Sequence, residues 1–75
     1  MQFFIAVMED NDSVPHRYAI DAVTEDAARE EAERWLPATR LGRGGVTLYR
    51  GTPNDENPER IGKVQSGEEG PAWLN

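Results

Sequence analysis

Cysteine is absent from this 75-residue chain, which excludes a disulfide framework, a thiolate metal site and a thiol nucleophile. A single histidine, His16, excludes a zinc site that draws two or more imidazoles from one chain. Basic residues are scarce, 8 against 14 acidic ones, and the net charge is −6. Such a chain repels phosphate backbones and is poorly suited to direct nucleic-acid binding by counterion release. No apolar run approaches the roughly 18 residues of a membrane span. Residues 1–8 lack a basic leader segment and run into Glu9 and Asp10 without a small-residue cleavage site. The expected location is therefore the cytoplasm, with no membrane contact. The length fits one domain, 1–75, burying only about 60 to 65% of its unfolded surface.

What is present reads as a small α+β domain. Residues 2–8 form an aromatic and aliphatic run ended by Glu9-Asp10-Asn11-Asp12, a strong turn signal. Its continuous apolar character predicts a central strand covered on both faces. Residues 17–23 alternate, with Tyr18, Ile20 and Ala22 on one side and Arg17, Ala19 and Asp21 on the other, the pattern of a half-buried strand. Residues 9–16 join the two strands as a loose hairpin loop.

Thr24 is placed to cap a helix, and Glu25 and Asp26 put negative charge at the positive end of its dipole. The helix is expected to run to about Leu36, before Pro37. Ala28, Ala32, Trp35 and Leu36 fall on one stripe, with Trp35 as its anchor and Asp26, Glu30 and Glu33 on the far side. Glu25–Arg29 and Glu30–Arg34 are spaced as i,i+4 ion pairs. Residues 46–50 form a third strand with Val46 and Leu48 facing the helix. Residues 60–65 form a weaker fourth strand interrupted by Gly62, and 72–74 can add a short fifth at the edge. The order β-β-α-β-β predicts an antiparallel sheet of four to five strands with one helix on one face. Trp35, Ile20, Leu48 and Phe4 are expected to be largely buried. The other face meets water or a partner, and the chain is expected to be a monomer or a weak homodimer.

Each candidate chemistry lacks a necessary part. Ser13 and His16 share one loop without a nucleophile elbow. The glycine-rich segment 42–45 has no Lys-Ser/Thr and precedes a strand, unlike a phosphate loop. Asp10-Asn11-Asp12 resembles the start of a calcium loop, but the twelfth position is Asp21, in a strand, and no bidentate Glu stands there. No enzyme, cofactor or metal is expected.

Charge is more informative. From Arg34 to Arg50 there are four arginines and no acid, while acids crowd the first hairpin, the helix and the later turns. Solubility alone accounts for charged turns and helix faces. The sharper reading is that acidic rows imitate a phosphate backbone and occupy a basic channel on another protein. The residues that would do so are Glu9, Asp10 and Asp12 with Asp26, Glu30 and Glu33. A rival surface is the uncovered sheet face, with Arg17, Tyr49 and Trp73 as aromatic and arginine anchors.

The strand-then-helix segment 17–32 and the charged turn before Trp73 resemble small phage-encoded anti-CRISPR proteins directed at type I surveillance complexes. That resemblance implies a non-enzymatic inhibitor that binds a Cascade subunit and blocks target DNA. The opening strand, acidic hairpin, strand and Glu- and Ala-rich helix also resemble antitoxins of the HicB group. Their glycine-cysteine turn and DNA-binding extension have no counterpart here.

Overall fold

The computed structural model describes residues 2–7, 14–39 and 44–74. The apolar run becomes β1, Phe3–Val7, in which every residue is buried. It lies between β2, His16–Ile20, and β3, Val46–Arg50, antiparallel to both. Backbone pairing on two edges and packing on two faces leave no room for a polar side chain, which is why this strand is continuously apolar. Two further strands, β4 (Glu59–Gly67) and β5 (Gly70–Leu74), complete a five-stranded antiparallel sheet in the order β2-β1-β3-β4-β5.

β4 is the longest strand rather than a weak one, and β5 is a full partner to it. Glu68 and Glu69 form a tight turn between them, with Gly70 at φ 121°. Gly62 does not interrupt β4. Opposite the junction of Leu48 and Tyr49 the register shifts, so that Leu48 pairs with Gly62 and Tyr49 with Arg60. Ile61 is the extra residue of this β-bulge, and it packs against the helix-side core.

The helix α1, Glu25–Arg34, begins as the sequence predicts: Thr24 is extended, and its hydroxyl accepts the Ala27 amide at 3.1 Å. It stops two residues early, at the Trp35 cap, and a 3₁₀ turn, Leu36–Ala38, carries Pro37 in its first turn. The buried Thr39 hydroxyl donates to the Leu36 carbonyl at 2.7 Å and closes that turn. Thr24→Ala should cost about 0.5–2 kcal/mol through loss of the cap. In a domain of this size that lowers the melting temperature by roughly 4–8 °C per kcal/mol, readable by circular dichroism.

Ala28, Ala32 and Leu36 press onto Phe3, Ile5, Val7, Val46, Leu48 and Val64, the contiguous helix-side core. Small alanines let the helix backbone approach the sheet closely. Trp35 is only half-buried; its ring stacks on Tyr18 of β2 at 4.7 Å. Ile20 is likewise half-buried, whereas Leu48 and Phe4 are fully buried. Phe4 sits apart from that core, on the opposite face of the sheet.

Candidate functional site

The two layers give the domain two chemically distinct sides. On the helix layer the acids divide into two groups. Glu25 is committed to the fold: it pairs with Arg29 at 3.4 Å and with Arg50 at 3.1 Å, and Arg50 reaches on to Glu59 at 3.1 Å. Glu33, expected on the outer side, instead accepts the Trp73 indole N–H at 3.2 Å. It leans toward the β5 edge because Trp73 needs an acceptor for its half-buried N–H. Arg29 lies over the same indole at 4.6 Å, so Glu25, Arg29, Trp73 and Glu33 tie α1 to β5. Arg34 pairs with Glu31 at 2.8 Å rather than with Glu30.

Asp26 and Glu30 remain. Both are exposed, one turn apart, and among the described residues neither takes part in an ion pair. Glu9, Asp10 and Asp12 lie outside the described residues, as do Ser13, Arg40 and Arg43. His16 is not a loop residue but opens β2, opposite Val7.

The other side is the sheet face turned away from α1. Phe4 stands on β1, with the Tyr49 ring stacked on it at 4.9 Å and 12° and the Arg17 guanidinium 5.2 Å from its centroid. Arg17 also donates through Nη1 to the carbonyls of Pro53 at 3.1 Å and Asp55 at 2.9 Å. These bonds draw the segment 51–58 toward this face. Gly51, at φ 131°, makes the bend from β3, and its amide donates to the Gln2 carbonyl at 2.8 Å. A shallow cleft of about 140 Å³ lies between that segment and the end of β2, beside Ala19, Ile20 and Pro53. Sites for small molecules usually measure about 300–1,000 Å³.

Arg17 and Tyr49 thus come together as expected, but Trp73 does not join them. It pairs with Val64 and faces the helix layer. The cations that do join them are Arg60, opposite Tyr49, and Lys63, opposite Thr47. The Lys63 stem crosses Gly45 so closely that a side chain there would collide with it. Sequence alternation misses Arg60 because the strand pattern puts it on the same side as Gly62 and Val64. Only the bulge at Ile61 turns it to the far face.

Among the described residues no three His, Asp or Glu side chains converge in a way that could hold a metal ion, and no helix is long and apolar enough to cross a membrane. No protein family, curated protein or solved structure matches this chain.

Proposed function

We propose that this protein is a non-enzymatic inhibitor that sets the acidic outer side of α1 into a basic, nucleic-acid-binding channel of a protein partner. The observation that supports this reading is the division of labour among the helix acids. Glu25, Glu31 and Glu33 are engaged within the domain, while Asp26 and Glu30 are exposed and unpaired among the described residues. Their charge is available to steer and hold a basic partner. The resemblance in element order supplies the specific candidate, a Cascade subunit of a type I CRISPR surveillance complex in the host cytoplasm, with target DNA displaced.

A mobility-shift assay with purified surveillance complex and its target duplex tests this. The wild-type chain should block DNA binding, and its association should slow as salt rises. The double variant Asp26→Lys, Glu30→Lys should inhibit at least about tenfold less well, the equivalent of 1.4 kcal/mol. Its stability should fall by only about 1 kcal/mol, because a lysine at 26 opposes the helix dipole that Asp26 favours while both positions are surface sites. A wild-type chain that leaves DNA binding untouched sinks the choice of partner. Full inhibition by the double variant, together with its loss in Tyr49→Ala, moves the working surface to the sheet.

A further inference from the structure

The far face of the sheet carries free positive charge. Arg60 and Lys63 project from β4, and among the described residues neither is in an ion pair. Arg17 adds a third charge at the β2 side, lying over the Phe4 ring and donating to two backbone carbonyls. No far-face position of the described strands holds an acid. The half-buried Tyr49 lies between Arg17 and the β4 cations, and the exposed Leu74 stands on β5 beyond Lys63, so the face offers apolar contact as well.

An occupant of this face has to be acidic. A two-fold dimer through the same face would set Arg60 and Lys63 against their own copies. A single-stranded nucleic acid stacks successive bases on aromatic rings, and with Phe4 buried Tyr49 is the one accessible ring among the far-face positions of the described strands. The net charge of −6 also repels a polyanion. The acidic surface that fits is on this chain itself, the Asp26 and Glu30 side of α1, in the opposite layer of the domain.

We propose that the open sheet face of one copy receives the acidic outer side of α1 from a second copy, giving weak head-to-tail association. The two patches lie on opposite layers, so the contact is heterologous and leaves one patch of each kind open at the ends. Repulsion between copies is screened beyond about 8 Å at physiological salt, while charges in contact still attract. This inference does not depend on the identity of any other partner. A basic partner on α1 would compete with it.

Concentration-dependent amide chemical shifts and sedimentation equilibrium of the wild-type chain test the proposal. From micromolar to millimolar protein, two separate sets of amides should shift together: those around Asp26 and Glu30, and those around Tyr49, Arg60 and Lys63. The weight-average mass should pass that of a dimer at physiological salt and return to monomer near 1 M salt, where screening reaches about 3 Å. Asp26→Lys with Glu30→Lys, and Arg60→Glu with Lys63→Glu, should each be monomeric alone, and an equimolar mixture of the two should associate again. A wild-type chain that stays monomeric at millimolar concentration overturns the proposal. So does a mass that stops at a dimer with only one patch shifting.

Discussion

Leu48→Ala is expected to cost about 3–4 kcal/mol, close to the middle of the range for buried leucine truncations. Leu48 is fully buried in β3, where it joins the core that Ala28, Ala32 and Leu36 cover. The α1 residues above it, Ala28 and Ala32, are too short to fill the space left behind. The cavity should therefore stay open, which is the expensive case. A domain of this length holds roughly 4–11 kcal/mol in all, so about a quarter or more of its stability would go. Urea unfolding followed by tryptophan fluorescence reads this, since Trp35 and Trp73 both flank the helix-sheet interface. A loss under about 1 kcal/mol would mean that α1 is not seated on β3. Trp35→Ala should cost less than Leu48→Ala despite its larger side chain. Half-burial and the Tyr18 stack make Trp35 a border residue instead of the anchor its size suggests.

Phe4→Ala should be about as damaging, at roughly 3–5 kcal/mol, although Phe4 faces away from the helix. Its exposure is 0% because Tyr49 and Arg17 close over it. Truncation would remove the ring stack and the platform beneath the Arg17 guanidinium. The Arg17 bonds to Pro53 and Asp55 should then loosen, and with them the 51–58 segment. Amide exchange makes the effect specific. The Gly51 amide, bonded to Gln2, and the Thr52 amide, bonded to the Asp55 carboxylate, should exchange faster in Phe4→Ala than in a variant equally destabilised from the helix side. Equal exchange in both would show that the far face is not a packing unit of its own. A stability loss below about 1 kcal/mol would show that it hardly packs at all.

The pattern of residues was sufficient for what depends on near neighbours. The apolar run of β1, the alternation of Tyr18 and Ile20, the Thr24 cap, the alanine stripe and the limits of β3 are all local signals, and the structure carries each of them. The α+β class and the antiparallel sheet follow from their order. The Glu25–Arg29 pair was legible for the same reason, because i,i+4 spacing is fixed by the helix itself.

Tertiary structure decided which side each candidate residue faces. The bulge at Ile61 shifts half of β4 by one residue, and a one-residue slip exchanges the faces of a strand. That slip sets Arg60 beside Tyr49, while pairing with Val64 sends Trp73 to the helix layer. Trp73 in turn draws Glu33 and Arg29 inward, which leaves Asp26 and Glu30 as the exposed, unpaired acids of α1 among the described residues. Arg17 is likewise engaged by carbonyls 36 and 38 residues away in the chain. Composition alone establishes that the chain is acidic and built around few large apolar side chains. Which charges stay free for a partner depends on long-range pairing, because an ion pair or an indole hydrogen bond forms only between groups that the fold has already brought together.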